Sequence, residues 1–161
     1  MSAIYPLAPL GGLYIATVGA CVVIGGIIAR VRMVSVWIGL GLGIAAVTAF
    51  AGRFGAMFAP TWLAIAALVI AVVVEFPAFM ILMPWVRPRG ERAVVALTLT
   101  IVGMHFLIML PAFGPLVGVL GVACLVNAAA FWRMTGYGVQ AAWVIDGLLK
   151  LGFGLAIWRG M

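Results

Sequence analysis

Residues 59–86, APTWLAIAALVIAVVVEFPAFMILMPWV, form an unbroken apolar run with one carboxylate, Glu75, near its middle. About 20 apolar residues in a helix cross a hydrocarbon core roughly 30 Å thick. The run does not alternate, and it is too long for a strand. In lipid a backbone must satisfy its own polar groups, so helix is the form open to it. A charge carried into hydrocarbon costs about 3 kcal/mol on insertion scales. Glu75 therefore needs a proton or a partner.

Five further runs of the same kind flank this one, at 9–29, 33–51, 93–110, 116–132 and 139–158. The reading is an all-α membrane protein, a single polytopic domain of six transmembrane helices with very short loops. Of the 161 residues, 68% are hydrophobic and only 7% charged. Soluble domains carry about 25% charge, and no polar segment here is long enough to bury a core of its own. The first residues lack a basic stretch, so the first run is expected to stay as a span and not be cleaved as a signal peptide. Cys21 and Cys124 fall inside spans, where thiols act as small hydrophobes.

The net charge of +6 does not point to nucleic acid, because the arginines sit singly or in small groups at span ends. Arg30, Arg32, Arg87, Arg89, Arg92 and Arg133 share one set of loops; Arg53 and Arg159 lie on the other side. The positive-inside rule puts the larger set in the cytoplasm and both termini outside. A multi-pass protein of a plasma membrane, bacterial inner membrane by its compact loops, is the expected location. Trp37, Trp62, Trp85, Trp132, Trp143 and Trp158 all fall near span ends, as interfacial belts require. The segment 111–115, with two prolines and a glycine, reads as a tight reversal.

Three spans followed by three admit a 3+3 inverted repeat, since an odd number per half reverses topology. Glu75 and Asp146 then occupy the third span of each half. Gly39 and Gly43 have small-xxx-small spacing; Gly118 with Gly121, and Gly147, Gly152 and Gly154, are similar small-residue faces. Such faces allow close helix packing, and a homo-oligomer is one partner they fit. Membrane lipids and a small-molecule or lipid ligand are the other expected partners.

The titratable groups inside the spans are Glu75, His105, Asp146 and Lys150. Glu75, His105 and Lys150 lie 11, 12 and 11 residues from the ends of their runs, about 16–18 Å deep at about 1.5 Å per residue. Asp146 precedes Lys150 by four residues, the favourable order for a helical ion pair. Asn127 is shallower. These five residues are the expected substrate or proton pathway, expected to converge near the midplane. Pro77 removes a donor two residues after Glu75 and is expected to kink its helix. Imidazole is the side-chain type whose charge changes near neutral pH, so His105 is the natural proton carrier.

A metal site of Glu75, His105 and Asp146 is opposed by the Lys150 ammonium at similar depth. Met80, Met83, Met104 and Met109 with His105 would suit Cu(I), but methionines in such a chain are more simply packing. One histidine excludes bis-histidine haem, and no phosphate loop or triad is present. No metal and no cofactor are expected. Three classes stay open: a carrier of protons or a small solute, ranked first; a membrane enzyme of isomerase or cyclase type, with Glu75, His105 and Asp146 as acid–base groups on a lipid or isoprenoid; and a non-catalytic accessory subunit.

Overall fold

The computed structural model describes residues 5–54, 61–136 and 138–160, and the side chains of all these except 51–54. Among them every regular element is helical, with no strand. The elements are α1 (Ala8–Ile27), α2 (Arg32–Phe54), α3 (Trp62–Val86), α4 (Glu91–Ile108), the single turn α5 (Leu110–Phe113), α6 (Pro115–Arg133) and α7 (Val139–Arg159). Apart from α5, these supply six helices long and apolar enough to cross a membrane. That is the architecture of a multi-pass membrane bundle.

Helix ends follow local chemistry. Thr61 caps α3, its hydroxyl oxygen accepting from the Ala64 N–H at 3.2 Å. Gly90 and Gly114 precede α4 and α6 with φ of 94° and 90°, a backbone region that side chains resist. The apolar runs match the helices to within a few residues. The start of the 59–86 run, the side chain of Arg53 and the connector after it lie outside the described residues. At 111–115 the expected tight reversal is instead the helical turn α5, with Pro111 in its first turn, and the chain reverses at Gly114. Proline fits a first turn because its missing N–H is not needed there. Helix α3 continues through Pro77 and Pro84.

The helices pack in the spatial order α2–α1–α7–α6–α4–α3, with α5 against α3 and α6. Helices α2 and α3 form the two ends of this arc. Most large apolar side chains of α3 point outward, and only Ala64, Ala67 and Ala71 are buried. The inner helices enclose two clusters. One joins Val18, Val22, Leu99, Phe131 and Trp143; the other joins Ile15, Phe106, Val117, Leu120 and Cys124. Trp37, Trp62, Trp85 and Trp132 are exposed, as a belt requires, but Trp143 is only 5% exposed. Its ring lies in the core with the Arg32 guanidinium 5.9 Å from its centroid, so it is no interfacial anchor.

The closest seam is antiparallel, between α1 and α7. A Cβ placed on Gly19 would lie 2.4 Å from the Leu151 nitrogen and 2.8 Å from the Gly147 oxygen. One on Gly12 would meet the Trp158 nitrogen at 2.5 Å, and one on Gly154 the Ala16 nitrogen at 2.4 Å. Gly12 and Gly19 are seven residues apart, as are Gly147 and Gly154, so backbone meets backbone at two levels. Gly103 and Gly121 make a similar approach between α4 and α6. Without a hydrophobic gradient between helices, such shape fit is a main source of association in lipid. Gly152 takes no part in this seam: among the described residues nothing lies within 4 Å of a Cβ placed there.

Polar contacts stitch the arginine-rich end. Arg32 pairs with Glu91, and the Gln140 amide donates to the Ile27 oxygen at 3.0 Å. Arg92 donates to the Phe131 oxygen and, at 2.7 Å, to the Met134 oxygen. It thus satisfies carbonyls at the C-terminus of α6, which the helix itself leaves unpaired. We expect Arg92→Gln to lose about 2 kcal/mol, the scale of a charged hydrogen bond. Thermal unfolding followed by labelling of the buried thiols Cys21 and Cys124 measures this.

Candidate functional site

Glu75 continues the inward stripe of α3. Ala64, Ala67 and Ala71 precede it at helical spacing, so its carboxylate is carried toward protein and not lipid. Helices α3 and α4 form a hairpin about Gly90, and Glu75 and His105 each lie fifteen residues from that glycine. Two antiparallel helices of equal rise bring such residues to one level. The result is a cross-helix contact: His105 Nδ1 lies 2.8 Å from Glu75 Oε2. The oxygen lies off the line of a good hydrogen bond, and Nδ1 has no other partner. The contact is therefore a short carboxylate–imidazole pair held by proximity. Glu75 keeps 28% of its side chain exposed and His105 keeps 13%.

Asp146 and Lys150 form a second pair, one turn apart on α7, through Oδ2 and Nζ. Both residues are at most 5% exposed. Their helix is covered by the glycine seam on the α1 side and by α6 on another. Asp146 Oδ1 has no hydrogen-bond partner. The Cys124 thiol of α6 lies within electrostatic reach of both charges. Lys150 Nζ sits 5.8 Å from the Phe106 ring centroid, a cation–π distance. Asn127 of α6 donates to the Ala142 oxygen of α7 at 2.9 Å, one turn before Asp146.

The expected single cluster is thus resolved into two pairs, with Phe106 adjoining both. Its ring meets His105 edge-on at 5.9 Å and Lys150 at its other contact. No hydrogen bond or ion pair links Glu75 or His105 to Asp146 or Lys150 among the described residues. Asn127 belongs to the α6–α7 seam. Tyr14 of α1 was not among the sequence candidates, yet it lies within electrostatic range of Glu75 and packs on Gly43 of α2. A depth count would have found it, since Tyr14 lies thirteen residues before the end of α1 and Glu75 eleven before the end of α3.

Chemically the two pairs differ. A lysine ammonium and a carboxylate neutralise each other and are costly to separate where water is absent. A carboxylate and an imidazole can instead share one proton, and either can hold it. No group of three or more His, Cys, Asp or Glu suited to a metal occurs among the described residues. In comparisons with known proteins, no family model matches the chain, and no curated protein or solved structure is significantly similar to it.

Proposed function

We propose that this chain is a small multi-pass carrier in which the Glu75–His105 pair takes up and releases a proton, alone or with a small solute. The observation that carries the reading is the 2.8 Å contact between a carboxylate and an imidazole from two helices in apolar spans. Glu75 is not sealed within the bundle, so the pair is reachable from outside the helix packing. Asp146 and Lys150 are sealed by comparison and serve to hold α7 neutral in lipid. Pro77 lies two residues from Glu75 and leaves the Val73 carbonyl without its helical donor, a weak point about which α3 can flex.

The same reading puts the arginine-rich end in the cytoplasm, both termini outside, and the bundle in a bacterial plasma membrane. A 3+3 inverted arrangement is part of this reading, and some neighbours agree with it: α1 packs on α2 as α4 packs on α6, and α1 on α7, far more extensively, as α4 on α3. The correspondence fails at the third helix of each half: among the described residues α7 packs on α6 and touches α4, while α3 has no comparable packing on α2 or α1. That failure leaves a flank beside the Glu75 helix open to the bilayer, and it favours a second reading: acid–base chemistry by Glu75 and His105 on an apolar lipid entering sideways.

Proteoliposomes containing a pH-sensitive dye test the first reading. We expect Glu75→Gln and His105→Gln each to slow dissipation of an imposed pH gradient at least tenfold, while eluting as folded protein. Undiminished flux in Glu75→Gln would remove the carrier reading. Turnover of an added isoprenoid by wild type, abolished in the same variant, would establish the second.

A further inference from the structure

The whole sequence contains three acidic residues, and each is already engaged: Glu91 by Arg32, Glu75 by His105 and Asp146 by Lys150. Among the described residues no side-chain carboxylate is without a basic partner of its own. Two arginines nonetheless line one groove of about 480 Å³ between α4 and α6. Arg89 stands on the turn before α4, and Arg133 is the last residue of α6. Arg92 ties the end of α6 to the start of α4 through the Phe131 and Met134 oxygens, which holds together the two helix ends that carry Arg133 and Arg89.

Away from the arginines the lining is apolar except for Thr100, whose hydroxyl donates to the Ala96 oxygen of its own helix at 2.8 Å. Ala93, Ala96 and Ala129 leave a trough where larger side chains would fill it, and Leu97 and Leu125 line it further in. Ala93, Ala96 and Leu97 recur at helical spacing, so the trough runs along the helix and into the depth of a span. Trp132 borders it and is 61% exposed, an amphipathic ring at the level where headgroups meet hydrocarbon. Cation above, slot below and tryptophan between match a molecule with an anionic head and an apolar tail. Basic pockets between helices at a membrane face are a known mode of phospholipid headgroup binding. Guanidinium groups also suit phosphate better than ammonium, through paired donors in a fixed fork.

We propose that the α4–α6 groove is a binding site for one anionic phospholipid, with its phosphate between Arg89 and Arg133 and an acyl chain in the alanine trough. This site is independent of the proton pair, and its failure would leave that reading untouched.

The test is native mass spectrometry of the full chain in detergent with added phosphatidylglycerol. Wild type should retain one molecule under conditions that strip phosphatidylcholine. The double variant Arg89→Gln/Arg133→Gln should bind at least tenfold more weakly. Arg30→Gln/Arg87→Gln removes the same charge from exposed arginines outside the groove lining and should bind as wild type does. Ala129→Leu keeps every arginine, alters an exposed position and fills the trough. It should also weaken binding, which separates a built groove from general surface charge. Equal loss in both arginine pairs, unchanged binding in Ala129→Leu, or displacement of the lipid by equimolar inorganic phosphate would each overturn the proposal. Should the Arg89/Arg133 variant not fold, Ala129→Leu alone decides.

Discussion

Gly147→Leu should leave little or no monodisperse protein, and Gly147→Ala should already lower the melting temperature sharply. A Cβ at this position would lie 2.6 Å from the Val23 nitrogen and 2.9 Å from the Gly19 oxygen. Those atoms are backbone of the facing helix and cannot turn aside as a side chain would. Relief requires α1 and α7 to move apart, which also opens the Gly12–Gly154 level of the same seam. Overpacking a well-filled interior costs about 1–3 kcal/mol, and a backbone clash on the central seam belongs at or above the top of that range. The control is Gly152→Ala, five residues further along the same helix and facing open space. There the substitution should be neutral or stabilising, by up to about 1 kcal/mol, because alanine is the better helix former. Size-exclusion profiles and thiol-labelling melts of the three variants measure both signs. A Gly147→Ala protein that melts with wild type would mean that the seam is not as close as described.

Lys150→Met should cost about 3–5 kcal/mol, the usual penalty for removing one member of a buried ion pair. Asp146 is 4% exposed, and its Oδ1 is already without a hydrogen-bond partner. Once Nζ is gone, the weak thiol donor of Cys124 is a poor substitute for it. The double change Asp146→Leu/Lys150→Met removes both charges at similar volume and should recover most or all of the lost stability, since apolar replacement of a whole buried pair is often neutral or favourable. Melting curves of the single and double variants close the cycle. If the double variant is as damaged as the single one, the pair does more than neutralise itself. In that case the assignment of proton handling to Glu75–His105 alone would have to be widened.

The helices were legible in the sequence because lipid imposes a length and forbids a free backbone. The carboxylate–imidazole contact was half legible. Depth counting put Glu75 and His105 at one level, and their equal distance from Gly90 could have said more: a hairpin pairs residues symmetric about its turn. Depth does not give the direction in which a side chain leaves its helix, so Lys150 could not be separated from that pair in advance. Helix neighbours were the least legible. Around a membrane helix, leucine facing lipid and leucine facing protein look alike, and periodicity loses its meaning. The run 39–43 alternates glycine as clearly as any stretch here, yet Gly41 meets open space while Gly39 and Gly43 meet α1. Trp143 misled for a related reason: proximity to a helix end says nothing about facing inward.

The glycine seam also has a consequence for how this protein is made. Helix α1 leaves the ribosome long before α7 does, and more than a hundred residues separate Ile27 from Val139. At synthesis rates of about 5–20 residues per second, its small-residue face waits on the order of ten seconds for its mate. Throughout that interval the nascent chain presents a notch that an insertase, a lipid tail or a neighbouring polypeptide can occupy. Docking of α7 should then register as a late pull on the growing chain. An arrest sequence that senses force, placed at successive lengths beyond α7, should release at that point in wild type and not when Gly147 is leucine.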